Sequence, residues 1–254
     1  MNKQGNKLVG VMLKPKKYTE KCIILCHGIT VNKDEDGVFI DLASELAIRD
    51  FAAFRFDFRG HGESEGDSLA MTPMGETQDI EAAIEFLKKE GYTQFGIVGA
   101  SFGGGVTALY AGMHPDAFKA IVLFNPLIDY APLIDPLLSS SQWYKKFWGT
   151  HATSAIAKDG FVAIGSRKFK IGKDLLDEIT YLKPWQSLDL IHIPLLFIHG
   201  DKDTYVPYED SVKYAKMFEK ELKIIDGAQH GFHDNYKHEE QANEATVEFF
   251  LKNM

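Results

Sequence analysis

The residues with the clearest chemical potential in this chain centre on a serine between two glycines. Residues 99–103 read Gly-Ala-Ser-Phe-Gly and fit the pattern G-x-S-x-G. In a sharp turn from a strand into a helix, this pattern holds the serine hydroxyl above the sheet, and the small flanking residues relieve the crowding. Ser101 is therefore the candidate nucleophile for attack on a carbonyl carbon.

A serine nucleophile needs two partners elsewhere in the chain. Its hydroxyl is weakly nucleophilic at pH 7, so a neutral imidazole must take its proton and a carboxylate must orient that imidazole. Where the serine lies in such a turn, the chain order is serine, acid, histidine. His230 follows the last apolar run of the chain, and Asp203 follows the run that ends at His199. We predict that Ser101, Asp203 and His230 form a catalytic triad.

Two other aspartates compete with Asp203 for the role of the acid. Asp201 lies two positions earlier in the same segment, and Asp129 follows the apolar run 120–124 at a greater distance. Aspartate side chains in turns commonly accept local backbone hydrogen bonds. We therefore expect Asp201 to stabilise its turn and Asp203 to orient the histidine.

Two alternative binding sites are weaker. The pair His230 and His233 with Asp234 resembles a metal pattern, but it lacks a convincing third ligand or a helical i, i+4 pair. Residues 99–104 contain a degraded G-x-G-x-x-G dinucleotide pattern in which serine replaces the middle glycine, and the strand end at 124–125 offers no acid for a ribose. We predict no metal and no cofactor.

Acyl transfer through a serine also needs two N–H donors for the oxyanion. One comes from the residue after the nucleophile, which is Phe102, and the other from the loop after an early strand. His27 and Gly28 close an early apolar run, and Gly28 lets the chain turn so that the Ile29 N–H faces the serine. We predict that the backbone N–H groups of Ile29 and Phe102 form the oxyanion hole.

The elements that must position these residues alternate along the chain. Near-continuous apolar runs indicate strands covered on both faces, and longer amphipathic segments such as 74–89 and 104–113 indicate helices between them. This alternation predicts an α/β fold with a mostly parallel, twisted sheet and helices on both faces. The expected strands are residues 22–26, 52–56, 95–98, 120–124, 195–199 and 222–225.

The regular alternation of strands and helices ends after residue 124. Residues 161–172 alternate around a Gly-Ser pair like a hairpin, and 175–182 reads as a short helix. We predict one domain over 1–254 with a cap insertion at about 126–186. An aromatic cluster in this insertion is the candidate substrate-binding surface: Trp143, Tyr144, Phe147 and Trp148.

The composition limits the partners of the chain. Its 254 residues are 45% hydrophobic and 25% charged, with a net charge of −8 and no block of basic residues. We therefore expect a globular protein that binds no nucleic acid. No apolar run approaches the ~18 residues of a membrane span, so no membrane association is expected. The sequence does not decide between a monomer and a homodimer.

Cysteine usage bears on the location of the protein. Cys22 and Cys26 are the only cysteines and lie in one expected strand, about 13 Å apart, so they cannot pair with each other. The sequence offers neither a disulfide framework nor a secretory signal. A cytoplasmic location is the expectation.

Five motifs in order, each at the end of an expected strand, carry a resemblance: His27-Gly28, residues 57–64, the turn at Ser101, His199-Gly200-x-x-Asp203 and Gly227-x-x-His230. Together they are similar to the α/β-hydrolase superfamily. The resemblance implies the fold of that superfamily over nearly the whole chain. It also implies a mainly structural role for residues 57–64, so His61 receives no chemical role.

Within that superfamily, a cap with a hairpin between the sixth and seventh strands is similar to the bacterial feruloyl and cinnamoyl esterases. These enzymes are serine carboxylesterases that cleave esters of aromatic acids. They typically carry an aromatic residue where this chain has Ile29, and a His-Ser-Gln turn where it has Ala100, Ser101 and Phe102. The resemblance implies a small-molecule ester substrate, with an aromatic or short-chain acyl group, cleaved through an acyl-enzyme.

Two rival functions use the same residues differently. An acyltransferase, thioesterase or peptidase would share the triad and differ in its leaving group and acceptor. A non-catalytic binding module on the same fold is the rival from another class, and it would leave Ser101 unreactive.

Overall fold

The computed structural model describes residues 1–134 and 152–254, and within them a seven-stranded sheet carries the fold. The strands of this sheet are β1 (Gly10–Leu13), β2 (Lys21–Cys26), β3 (Ala52–Phe56), β4 (Gln94–Ala100), β5 (Ala120–Phe124), β8 (Leu195–Gly200) and β9 (Glu221–Ile225). Two further strands, β6 (Phe161–Ile164) and β7 (Phe169–Gly172), form a separate antiparallel hairpin.

The strand order brings the ends of distant segments together. It is β1-β3-β2-β4-β5-β8-β9, and every neighbouring pair is parallel except β1 with β3. The six parallel strands therefore end at the same edge of the sheet. In open α/β sheets, ligands bind outside this carboxyl edge.

Helices cover both faces of the sheet. Alternate residues of β2 point to opposite sides: Ile24 joins a core with residues of the helices Pro73–Lys89 and Ser101–Met113, and Ile23 joins a second core with residues of the helices Val38–Ile48 and Tyr236–Asn253. The helices in the described ranges are α1 (Val38–Ile48), α2 (Pro73–Lys89), α3 (Ser101–Met113), α4 (Ala131–Ile134), α5 (Ala152–Asp159), α6 (Lys173–Ile179), α7 (Pro184–Ser187), α8 (Tyr208–Met217) and α9 (Tyr236–Asn253).

The predicted strands agree with the structure to within two residues. Residues 52–56 and 120–124 are exact, and β4 runs one residue earlier and two residues later than predicted. The prediction missed β1, which is an edge strand of four residues with no buried position. Its apolar residues Val11, Met12 and Leu13 form too short a run to distinguish a strand from a loop.

The chain leaves the sheet between β5 and β8. The hairpin predicted over 161–172 is confirmed, with Val162 opposite Ile171, and the helix predicted at 175–182 lies at Lys173–Ile179. In chain order, this segment falls between the fifth and sixth strands of the seven-stranded sheet. The cap limits and the single-domain assignment stay predictions.

None of the helices in the two described ranges is long and apolar enough to cross a bilayer.

Candidate active site

Ser101 lies at the junction of β4 and α3, in a strained backbone conformation. It is the first residue of α3, and its φ of +52° falls in the left-handed region. For a residue other than glycine, such a conformation costs about 1–3 kcal/mol and is concentrated at functional sites. The sharp turn predicted from G-x-S-x-G is therefore present, with its serine at the carboxyl edge of the sheet.

The glycines on either side of Ser101 are required by close backbone contacts. A Cβ added at Gly103 would lie 2.3 Å from the carbonyl oxygen of His27. A Cβ added at Gly99 would lie 2.4 Å from Thr107 Oγ1 and 2.7 Å from the carbonyl oxygen of Gly103. Both distances are far below van der Waals contact. Glycine at 103 lets α3 begin against the end of β2, and glycine at 99 lets α3 pack closely on β4.

The structure joins the three predicted side chains in one chain of hydrogen bonds. Ser101 Oγ donates to His230 Nε2 over 3.0 Å, and His230 Nδ1 donates to Asp203 Oδ2 over 2.6 Å. Asp203 follows β8, and His230 follows the neighbouring strand β9. Because these strands are parallel to β4, residues far apart in sequence meet at one edge of the sheet.

Asp203 is fully buried and accepts four hydrogen bonds. Its Oδ1 accepts from the N–H groups of Tyr205 at 2.7 Å and Val206 at 2.9 Å, and its Oδ2 accepts from His199 Nε2 at 3.1 Å besides His230. Burial acts to raise the pKa of Asp203, but the charge of His230 and the bonds from both histidines outweigh it. The pKa lies well below its ordinary value, so the carboxylate stays ionised.

The same pairing acts on His230 in the opposite direction. Burial lowers the pKa of His230, but the charge and hydrogen bond of Asp203 raise it, and the charge of Glu35 adds to them. The net pKa lies above the ordinary value of 6.5. An imidazole with this tuning is well suited to accept a proton from Ser101 and to hold it as an imidazolium.

The other two aspartates have partners away from His230. Asp201 Oδ1 accepts the N–H of Gly227 at 2.6 Å, so this carboxylate ties the loop after β8 to the loop after β9. Asp129 Oδ2 accepts the hydroxyl of Tyr214 at 2.6 Å. The expectation that Asp201 supports a turn agrees with this geometry, although the bond reaches a neighbouring loop.

Buried histidines hold the turn formed by residues 27–29. His27 Nε2 accepts the N–H of Phe58 at 3.0 Å, so Nδ1 carries the proton and donates to the carbonyl of Gly28 at 2.7 Å. His61 Nε2 donates to the carbonyl of Ile29 over 2.7 Å. In a trans peptide the C=O and N–H groups point in opposite directions. Fixing the Gly28 carbonyl therefore fixes the direction of the Ile29 N–H.

The two predicted oxyanion donors flank the serine. A Cβ at Gly28 would come within 3.2 Å of Ser101 Cβ, which places the turn of residues 27–29 directly against the nucleophile. Phe102 is the second residue of α3, and N–H groups of a first helical turn have no carbonyl partner within the helix. Both donors are thus held by rigid elements, and their oxyanion role stays a prediction.

A cavity of about 340 Å³ opens above Ser101. Apolar side chains, including Ile29, Leu127 and Val206, line part of it, and Glu35 and His230 add ionisable groups. Pockets that combine apolar walls with a few polar groups are typical of small-molecule sites. The volume suits a ligand of modest size.

The hairpin of β6 and β7 forms a wall of this cavity. Its tip includes Arg167, which contacts Asp36 and reaches the carbonyl of Thr30 at 3.4 Å. Next to the tip, at the start of β7, Phe169 stacks on His61 with ring centroids 4.5 Å apart. The insertion thereby packs against the residues that hold the turn of residues 27–29. The predicted aromatic surface lies outside the described residues: Trp143, Tyr144, Phe147 and Trp148.

A search for related families gives one that spans most of the chain. The family described as serine aminopeptidase, S33 (Hydrolase_4) matches residues 17–236. The chain belongs to this family. Its members are hydrolases, and the match includes all six parallel strands of the sheet.

Individual relatives agree with this assignment. Human monoglyceride lipase is 25% identical over 256 residues, which cover 92% of this chain and 82% of the lipase. The structure of Est1E from Butyrivibrio proteoclasticus with ferulic acid bound is similar with a TM-score of 0.83 at 27% identity, over 98% of this chain and 96% of Est1E. A monoacylglycerol lipase from Paleococcus ferrophilus shares the fold at 19% identity, with a TM-score of 0.73 over 98% of this chain and all of the lipase (100%). The predicted α/β-hydrolase fold is confirmed.

Several supporting residues were missed by the sequence reasoning. His199 bonds Asp203, and His27 fixes the turn of residues 27–29, yet neither received a role from the sequence; His61, expected to be structural, holds the same turn. A signal was present, because His27 and His199 each precede a glycine at the end of a strand. Glu35, which lines the cavity beside Ser101, carries no comparable signal.

Proposed function

We propose that this protein is a cofactor-independent serine ester hydrolase. Ser101 attacks the ester carbonyl, His230 takes the proton of the hydroxyl and returns it to the leaving alcohol, and Asp203 orients His230. The backbone N–H groups of Ile29 and Phe102 hold the negative oxygen of the tetrahedral intermediate. Water, activated by His230, then attacks the acyl-enzyme and releases the acid and the free serine.

One observation carries this proposal. The continuous bonds from Ser101 Oγ to His230 Nε2, at 3.0 Å, and from His230 Nδ1 to Asp203 Oδ2, at 2.6 Å, combine a strained serine with an activated base. A serine held only for packing needs neither an imidazole at its hydroxyl nor a left-handed backbone. The arrangement favours nucleophilic catalysis over a non-catalytic binding module.

The decisive test compares the wild type with Ser101→Ala on p-nitrophenyl esters. Loss of the nucleophile is expected to remove nearly all turnover, because the acyl-enzyme cannot form. A fluorophosphonate probe is expected to label the folded wild type and not the variant. A variant that keeps a tenth of the wild-type rate, or a wild type that resists labelling, would exclude the mechanism.

Two classes of ester are the leading candidates for the acyl group that the enzyme transfers to water. An aromatic acid is supported by the similarity to Est1E, which binds ferulic acid, and a fatty acyl glycerol by the similarity to monoglyceride lipases. The aromatic class gains further support from the predicted aromatic surface of the insertion: Trp143, Tyr144, Phe147 and Trp148. Stacking on such a ring is worth about 0.5–1.5 kcal/mol beyond burial.

A substrate panel separates these classes and the rival reactions. We propose to compare kcat/KM for acetyl, butyryl and feruloyl esters, a monoacylglycerol, a thioester and an amino-acid amide. The amide arm tests the peptidase activity that the name of the family describes. Equal kcat/KM for acetyl, butyryl and feruloyl esters would argue against a dedicated aromatic pocket.

A further inference from the structure

Glu35 is a buried carboxyl group in the cavity that the triad does not use. It lines the same space as Ser101 and His230. Its Oε2 accepts the N–H of Gly28 over 2.7 Å. Burying a carboxyl group costs free energy unless its contacts offset the cost. The role of this bond to the turn beside Ser101 therefore needs an explanation.

The bond from Gly28 to Glu35 completes the support of three successive peptide groups. Glu35 holds the N–H of the first, His27 holds the carbonyl of the second, and His61 holds the carbonyl of the third. The Ile29 N–H belongs to the second peptide, and it depends on its neighbours for its direction because each peptide is planar. Resting on the function proposed above, we propose that Glu35 is a positioning residue that aims the Ile29 N–H at the oxyanion.

The backbone around Glu35 is strained in a way that serves this contact. Glu35 has φ of +45° and Asp36 has φ of +56°, so two successive residues other than glycine adopt left-handed conformations. Each costs about 1–3 kcal/mol. The ion pair of Asp36 with Arg167 joins this segment to the hairpin, and the N–H of Glu35 donates to Asn32 O at 2.9 Å. These contacts on both sides hold the strained backbone segment that places the Glu35 carboxyl group beside Gly28.

Glu35 also acts on His230 through its charge. The ionisable groups that face it are His230, Asp36 and Arg167, and His233 lines the same cavity. Burial raises the pKa of Glu35 to about 7, although the bond from Gly28 and the charge of His230 act to lower it. When ionised, Glu35 favours the imidazolium form of His230. The site thus contains a second carboxyl group that titrates in the range where the base titrates.

The experiment compares Glu35→Gln, which keeps an oxygen acceptor for Gly28, with Glu35→Met, which fills the same volume without one. A displacement of about 1 Å at a catalytic group costs about 10²-fold. We expect Glu35→Met to lower kcat by about this factor with little change in KM, and to weaken a trifluoromethyl ketone inhibitor in parallel. Glu35→Gln is expected to keep kcat within a few-fold of the wild-type value. The acid limb of its pH–activity profile is expected to shift to lower pH, because the charge that helps to raise the pKa of His230 is removed.

The matched control is Glu65→Ala. Glu65 is exposed, and like Glu35 it accepts a backbone N–H, from Lys7 at 2.8 Å, but away from the cavity. Equal kcat for Glu35→Gln and Glu35→Met, or a fall in kcat without weaker ketone binding, would overturn the assignment of Glu35. Absence of ester turnover in the wild type would instead refute the proposed function, so the two failures are distinguishable.

Discussion

Gly103→Ala is the substitution whose effect on the candidate site follows most directly from the structure. The added Cβ would lie 2.3 Å from the carbonyl oxygen of His27 and 2.8 Å from that of Cys26. Relaxed contacts of this kind lie near ~3.5 Å, so the first residues of α3 and the end of β2 must separate by roughly 1 Å. That displacement falls between the two proposed oxyanion donors, because Phe102 is the second residue of α3 and Ile29 follows β2.

Two magnitudes follow from this shift. Overpacking of a dense core costs about 1–3 kcal/mol, and alanine recovers about 1 kcal/mol of helix propensity over glycine. The expected loss in the free energy of unfolding is therefore at most about 2 kcal/mol. A misplacement of 1 Å between reacting groups costs about 10²-fold in rate. We expect Gly103→Ala to fold and to lose about 10²-fold in kcat/KM towards p-nitrophenyl esters.

Gly112→Ala provides the matched control in the same helix. Its Cβ would lie 2.6 Å from Ser187 Cβ, in the contact between α3 and α7 and away from the cavity. Urea unfolding is expected to show a comparable loss of stability, with kcat/KM unchanged. Wild-type activity in Gly103→Ala, or equal loss of activity in both variants, would refute the argument that α3 and the end of β2 must touch at glycine.

Three further outcomes are expected. The value of kcat/KM should rise with pH through a midpoint above 6.5, because the active base is neutral His230 and its pKa is raised; a midpoint below 6.5 would contradict the pairing with Asp203. The folded protein binds a proton at Glu35 more tightly than the unfolded chain does, so ionisation of Glu35 lowers the free energy of unfolding as pH rises from 4.5 to about 7. Glu35→Gln removes this loss. In urea unfolding, the free energy of unfolding of Glu35→Gln minus that of the wild type should therefore be larger at pH 8 than at pH 4, by up to ~3 kcal/mol. Cys22 and Cys26 are buried and burial raises the pKa of both thiols, so a thiol reagent should modify neither before denaturation; modification of the folded protein would contradict their burial.

The parts of the fold that the sequence predicted well are those with a strong local signal. Strands β3 and β5 are almost entirely buried, so their apolar runs end where the strands end. Thr72 and Pro73 are residue types that favour a helix start, and in α2 the Thr72 side chain accepts the N–H of Gly75. Ser101 was found because its turn imposes a steric demand that leaves glycines in the sequence.

Other features depend on contacts that no local pattern reveals. Strand β1 is apolar in sequence but has only four residues, and it is recognisable as a strand only through its pairing with β3. Glu35 reaches Gly28 because two residues adopt left-handed backbone conformations, and neither glutamate nor aspartate signals this in a sequence. The pairing of Asp203 with His230 was predicted from chain order and from the position of both residues after apolar runs, whereas their distance depends on the neighbouring positions of β8 and β9.

The ends of β2 and β8 share one construction. Each strand brings a buried histidine followed by glycine to the carboxyl edge: His27 before Gly28, and His199 before Gly200. His27 fixes the turn that carries the Ile29 N–H, and His199 donates to the Asp203 carboxylate at 3.1 Å. His199 Nδ1 lies 2.7 Å from the hydroxyl of Ser211, which donates to it and leaves Nε2 as the proton carrier. Both histidines thus have each ring nitrogen engaged, so in both places a rigid imidazole orients a group to which we assign a role in the proposed catalysis.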